Sequence, residues 1–259
     1  MSNTILGIIA SAGVSAAPFD PTSIAGCKLW LDAADTSTIS LSGSDVTQWN
    51  DKSGNGYNFT QGTSAYRPTS GTRTQNGKNV IDFDGTKNLQ TTAAKSAFNF
   101  LNNTTATIFR VLQQDTTSGI QFLMGNNSGS NSNIGIFYFT TSTNDQLSCG
   151  AGTGSTVYTI QKTFSTAARY DAIKSDPANA TAANRIKVST NGGAFVGSNT
   201  GTQTPTGSDS DINFILGNDG AGGSIPMNGY FAEIIIYNSI LSADDITAVQ
   251  DYLAAKWGI

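Results

Sequence analysis

Apolar and polar residues alternate along most of this chain in short runs, broken by Gly, Asn, Ser and Thr. The clearest runs are residues 28–31, 46–49, 57–60, 79–83, 106–112, 120–124, 134–139, 156–160, 169–173, 185–189, 212–216 and 230–237. A period of two puts one face of each segment in a core and the other in water, which predicts antiparallel strands. Asn191-Gly192-Gly193 and Ser53-Gly54-Asn55-Gly56 predict hairpin-type turns, because Gly and Asn accept positive φ at little cost. Short strands at this spacing predict a sandwich or jelly roll. No Pro-rich linker and no repeat of fixed period divides the chain, so residues 24–259 read as one domain.

The period changes once, near the C-terminus. Ile246, Val249 and Leu253 recur at helical spacing, and Trp257 extends the same face by a turn. Ser242 is suited to the N-cap, with Asp245 three residues on, and Gly258 to the stop. The spacing predicts a helix over 242–257 that packs its apolar stripe on the sandwich.

Composition agrees with strands. Charged residues make up only 12%, against a globular norm of roughly 25%, so Ser, Thr, Asn, Gln and Gly must cover the surface. Net charge is −4 and the 14 Lys and Arg form no run. A nucleic-acid partner needs a concentrated basic surface, and an anionic membrane would repel the chain, so neither is expected. Cys27 and Cys149 lie far apart and read as free thiols.

The candidate chemistry is sparse. Asp51, Ser53, Asn55 and Gly56 have the opening spacing of an EF-hand calcium loop, but the twelfth position is Gly62, not Glu, and the flanks read as strands. The loop therefore reads as a turn held by side-chain to backbone hydrogen bonds. The alternative is a looser calcium site using Asp51 with another rim carboxylate such as Asp84; no other cofactor is expected. There is no His, which excludes His-based triads and His metal ligands. The one Glu is Glu233, and a glycosidase needs two suitably placed carboxylates. The Asp pairs 82/84, 209/211 and 244/245 read as a strand face, a loop and a helix cap, so no catalytic residue is assigned. Tyr57, Tyr66, Tyr138 and Tyr158 are candidates for stacking on sugars, with core packing as the competing role.

The N-terminal run Ile5-Leu6-Gly7-Ile8-Ile9-Ala10 has no preceding Lys or Arg, so it does not read as a secretory signal. It is too short to span a bilayer. Residues 1–23 read instead as an apolar arm, with Ile5, Leu6, Ile8 and Ile9 as assembly contacts to a partner subunit.

Three segments together carry a resemblance: Lys28-Leu29-Trp30-Leu31-Asp32-Ala33-Ala34-Asp35, the stretch from Val46 to Gly56, and Val80-Ile81-Asp82-Phe83-Asp84-Gly85. With the ending Gly229-Tyr230-Phe231-Ala232-Glu233-Ile234-Ile235-Ile236-Tyr237-Asn238 and Tyr252-Leu253-Ala254-Ala255-Lys256-Trp257-Gly258, they resemble concanavalin A-like, laminin-G-like jelly-roll domains. The resemblance implies an all-β, antiparallel two-sheet jelly-roll sandwich with one C-terminal α-helix and an N-terminal arm. Such domains occur in lectins, carbohydrate-binding modules, adhesion domains, glucanases and bacteriophage surface proteins; one Glu does not supply the glucanase motif. Two functional expectations follow. One is a non-catalytic bacteriophage virion surface protein (capsid decoration, head fibre or tail adhesin), homo-oligomeric, joined to other virion proteins by its arm and able to bind host-surface glycans. The alternative is a free-standing or secreted, extracellular carbohydrate-binding protein.

Overall fold

The computed structural model describes residues 19–128, 133–141, 144–152, 156–197, 201, 203–219 and 225–259. The arm positions Ile5, Leu6, Ile8 and Ile9 lie outside the described residues.

In chain order the strands are β1 (Cys27–Asp32), β2 (Ile39–Ser42), β3 (Asp45–Trp49), β4 (Phe59–Thr60), β5 (Thr69–Gln75), β6 (Lys78–Asp84) and β7 (Leu89–Thr91). A one-turn helix α1 (Phe100–Asn103) precedes β8 (Ala106–Gln114), β9 (Gln121–Gly125), β10 (Ile134–Thr140), β11 (Asn144–Ala151) and β12 (Thr156–Thr163). Then come β13 (Arg169–Ser175), β14 (Ile186–Thr190), β15 (Ile215–Leu216), β16 (Asn228–Tyr237) and the helix α2 (Ala243–Trp257). The described strand pairs are antiparallel and form one hydrogen-bonded path, β12-β11-β10-β9-β15-β7-β4-β3-β5-β6-β16-β8-β13-β14, with β1 beside β16 and β2 beside β3. Folded over, this path gives the expected all-β sandwich with one long helix at its C-terminus.

Alternation sets the layers. Along β16, Phe231, Ile234 and Ile236 enter the core between the sheets, where they join Ile108 and Leu112 of β8 and Leu123, Ile136 and Leu147 of the opposite layer. Tyr230, Ala232, Ile235 and Tyr237 face the other way and are covered by Ile246, Val249, Leu253 and Trp257 of α2. Both faces of β16 are thus buried, which is why its sequence is nearly all apolar. Full burial of each such side chain stabilises the fold by about 1.5–3 kcal/mol.

The helix ends follow from their residues. Ser242 Oγ accepts from Asp245 N at 3.1 Å, the N-cap bond, and donates to the Asp245 carboxylate at 2.7 Å. Gly258 has φ +68, the left-handed conformation that ends the helix. Glu233 is sunk beneath α2 and accepts four hydrogen bonds. Trp30 Nε1 and Tyr252 Oη reach one carboxylate oxygen at 2.8 and 2.7 Å; Lys256 Nζ and Trp257 Nε1 reach the other at 2.8 and 2.7 Å. The single Glu of the chain is therefore committed to docking the helix. At the start of the described chain, Phe19 packs on Tyr252 with ring centroids 5.2 Å apart, and the Pro21 carbonyl accepts from Tyr237 Oη at 2.9 Å. Among the described residues no helix is long and apolar enough to cross a membrane.

Candidate functional site

The loop with the calcium-like spacing is built around Asp51. One carboxylate oxygen accepts from Trp30 N at 3.0 Å and Ser53 N at 2.8 Å; the other accepts from Ser53 Oγ at 2.8 Å and Tyr57 N at 3.0 Å. Four donors on Asp51 make it the organiser of a turn. The turn is longer than a hairpin: Trp49 pairs with Phe59, so residues 50–58 form the connection. That connection docks on the free edge of β1, with Lys52 N donating to Trp30 O at 2.8 Å and Asn55 Nδ2 to Cys27 O at 3.1 Å. Asp84 sits in a separate turn, where it accepts from Thr86 N and Oγ1 at 3.2 and 2.8 Å.

The tyrosine candidates divide. Tyr138 and Tyr158 are fully buried in the inter-sheet core, so no sugar can stack on them. Tyr138 alternates in phase with Ile136, and that phase points inward. Tyr57 is half-buried and packs on Phe98 at 5.3 Å between centroids, while Tyr66 is half-buried in a short turn, Ser64–Tyr66. These two are not joined with the others in one site by any described contact. The Asp pairs are equally dispersed. Asp82 pairs with Arg73 at 3.1 Å, Asp209 accepts from Asn99 at 2.7 Å, Asp211 from Ser128 at 2.6 Å, and Asp245 serves the helix cap.

A concavity lies elsewhere, at the open corner where β12 crosses to β13. A cavity of about 310 Å³ is lined by Lys162 and Thr163 at the end of β12, Phe164 and Ser165 of the crossing loop, Arg169 at the start of β13, and Thr190–Asn191 after β14. Its walls are fixed by the local chain. Asn191 at φ +48 and Gly192 at φ +72 turn the chain back after β14. That turn clamps β13 twice: Asn191 N donates to Tyr170 O and Tyr170 N to the Asn191 side chain, both at 3.0 Å.

The base of this cleft is charged. Asp171 lies opposite Arg110 in the β8–β13 register, on the inward phase shared with Ile173. One Asp171 oxygen takes Arg110 Nη2 at 3.0 Å and Arg169 Nε at 3.4 Å; the other takes Thr190 Oγ1 at 2.5 Å. Lys162 Nζ donates in turn to Thr190 Oγ1, and Arg169 Nη2 to Gln114 Oε1 at 3.0 Å. Burial pushes the Asp171 carboxyl up, but Arg169 and Arg110, aided by Thr190 and Lys162, outweigh it and hold the group below the usual aspartate range. Phe164 covers the Arg169 guanidinium at 5.3 Å from its ring centroid. This arrangement offers a ligand hydroxyls, an amide, an ammonium group and a half-exposed aromatic ring. No sequence motif announced it. The one available signal was that five of the 14 cationic residues, and only two of the 18 acidic ones, fall between Lys162 and Thr190.

A second concavity, of about 130 Å³, lies on the outer face of the β9–β10 layer, lined by Ile120, Phe122, Phe137, Phe139 and Ile225. Phe137 and Phe139 stack at 5.2 Å. It has no polar side chain with which to orient a ligand.

No protein-family model matches the chain, and no curated protein sequence matches it. Solved structures do. The Ruminococcus gnavus IT-sialidase CBM40, bound to α2,3-sialyllactose, is similar with a TM-score of 0.50 and 18% identity, over 66% of this chain and 95% of that one. The binding domain of botulinum neurotoxin DC, in complex with SialylT, has a TM-score of 0.56 at 11% identity over 90% of this chain. A botulinum neurotoxin type C structure, described by its interaction with two ganglioside molecules, has a TM-score of 0.58 at 8% identity over 88%. The chain spans about half the length of the neurotoxin chains, 52% and 51%. At these identities the likeness is one of fold: a jelly-roll-like sandwich of the kind found in binding modules.

Proposed function

We propose that this chain is a non-catalytic, lectin-like carbohydrate-binding domain that holds a glycan in the cleft between the 164–168 loop and the turn after β14. The observation that carries the reading is the lining: Thr163, Ser165, Thr190 and Asn191 supply hydrogen-bonding groups around the half-exposed Phe164. Sugar recognition uses this combination of an apolar ring face and convergent polar groups. The likeness in fold to modules that bind sialyllactose and gangliosides supports the same reading. Titration of the full chain with glycans selected on an array tests it. Phe164→Ala is expected to weaken binding roughly tenfold, the share of one aromatic contact, while the urea midpoint stays unchanged. Absence of glycan binding, or binding indifferent to Phe164→Ala, overturns the reading.

A virion-surface setting, with host glycans as the target, is the finer form of this proposal. Its support is the apolar sequence of Ile5, Leu6, Ile8 and Ile9. Light scattering of the full chain decides whether it stands: a defined oligomer that dissociates on Ile8→Asp/Ile9→Asp supports assembly through the arm, and a monomer removes it.

A further inference from the structure

We infer that the apolar concavity on the outer face of the β9–β10 layer is the socket for the N-terminal arm of a second copy of this chain, filled by Ile5, Leu6, Ile8 and Ile9. The inference rests on the proposed assembly through the arm and adds the surface that receives it.

The two outer faces of the sandwich differ. Strand β16 is apolar on both sides because the core takes one and α2 covers the other. Strand β10 has the same two-sided pattern: Ile136 and Tyr138 enter the core, while Phe137 and Phe139 point outward. Among the described residues, Phe122, Ile215, Ile212 and Ile225 complete that outward cluster, and no helix residue joins it. Ile120 stands at its rim, 53% exposed. The next strand turns polar, with Gln146 opposite Phe139 and Ser148 opposite Phe137 in the β10–β11 register. An apolar patch with a polar border on a sheet face marks a contact surface.

The occupant follows from chemistry and reach. At about 130 Å³ and lined by apolar side chains, the concavity suits aliphatic groups. Small-molecule pockets are larger, roughly 300–1,000 Å³, and hold a few polar groups. Residues 1–18 carry Ile5, Leu6, Ile8 and Ile9 close together and no Asp, Glu, Lys or Arg, so seating them leaves no charge buried. The first described residue, Phe19, packs on Tyr252 of α2, over the outer face of the other sheet. From Phe19 back to Ile9 a chain extends at most about 35 Å. Its own socket lies beyond α2 and both sheets, layers about 10 Å apart. The way round an edge adds strand widths of about 4.8 Å each. The apolar run is therefore placed for the socket of a neighbour rather than its own.

The test uses the full chain. Ile120→Asp is expected to weaken the oligomer about tenfold in light scattering, the share of one buried aliphatic side chain. Ile120 is exposed within the chain, and the circular dichroism spectrum reports whether the variant is folded. A second measurement does not depend on that variant. In the Cys27→Ser background, chains carrying Ile8→Cys are co-expressed with chains carrying Ile120→Cys, and oxidation is expected to join one of each. Should Ile120→Asp not fold, this cross-link decides alone. An oligomer that dissociates on Ile8→Asp/Ile9→Asp but ignores Ile120→Asp overturns the inference while assembly through the arm stands. Oxidation that joins Ile8→Cys chains only to each other shows arms bundled together and overturns it as well, as does a double variant that closes only within one chain. A monomeric full chain overturns both the inference and the assembly reading.

Discussion

Asp171 is the residue on which the cleft depends. Its carboxyl titrates below the ordinary value of 3.8 because Arg169 and Arg110 stabilise the charged form more than burial destabilises it. The sign for stability follows. As pH falls, the unfolded chain takes up its proton first, so the contribution of Asp171 is complete above pH 3.8 and is lost progressively below it. Asp171→Asn leaves two buried guanidinium groups facing a neutral amide. A loss of about 3–5 kcal/mol is expected, seen as a lower urea midpoint at neutral pH, together with a shallower acid limb below pH 3.8. Single residues also show how far the sequence could be read. Tyr138 reads as a sugar platform by its aromatic face and its place beside polar loops, yet its phase with Ile136 puts it inside. Phe137 and Phe139, on the opposite phase, are the rings that face outward. Alternation was a better guide to these positions than side-chain chemistry.

Elements were legible where both faces are buried or the cap is explicit. The helix predicted over 242–257 is found at Ala243–Trp257 with Ser242 as its N-cap. Its cap and its docking differ in magnitude. Ser242→Ala removes one capping hydrogen bond and is expected to cost about 1 kcal/mol. Trp257→Ala empties a fully buried site and takes one donor from Glu233, for about 3–5 kcal/mol. Urea denaturation of the two variants should rank them in that order; the reverse ranking would mean that α2 contributes little through its packed face. Strands β2, β5, β7 and β11 left no comparable trace. In β5 the one buried residue is Ser70, and the strand exists because Asn76 and Gly77, both at positive φ, turn it onto β6. The Asn-Gly pair was available as a signal. In β11 the outward positions are Gln146, Ser148 and Gly150, and the inward Leu147 and Cys149 are too few to mark a strand without their partners on β10 and β12. Pairing, not propensity, creates such strands.

At the scale of the whole molecule, the cleft draws on segments around Arg110, Lys162 to Arg169, and Thr190 to Asn191, which only the folded sheet brings together. A chain read one segment at a time shows scattered cations there. The two sheets also depend on each other, and the thiols report it. Cys27 lies on β1 beside β16, and Cys149 on β11 in the opposite layer, fully buried. Both are free thiols. Burial pushes each up to about 12. At pH 8 a thiol of that kind is ionised about one part in ten thousand, so native-state reaction with a disulfide reagent is slow. In Cys27→Ser, labelling reports Cys149 alone. Cys149 sits among Ile136, Tyr138, Val157 and Tyr158 in the same inter-sheet core as Ile234 and Ile236. Reagent can reach it only when that core opens. The labelling rate of Cys27→Ser in increasing urea should therefore follow the free energy of global unfolding measured by tryptophan fluorescence. Fast labelling in the absence of urea would show that the β10–β12 layer opens on its own, and the cleft at its edge would then be carried by a separately unfolding unit.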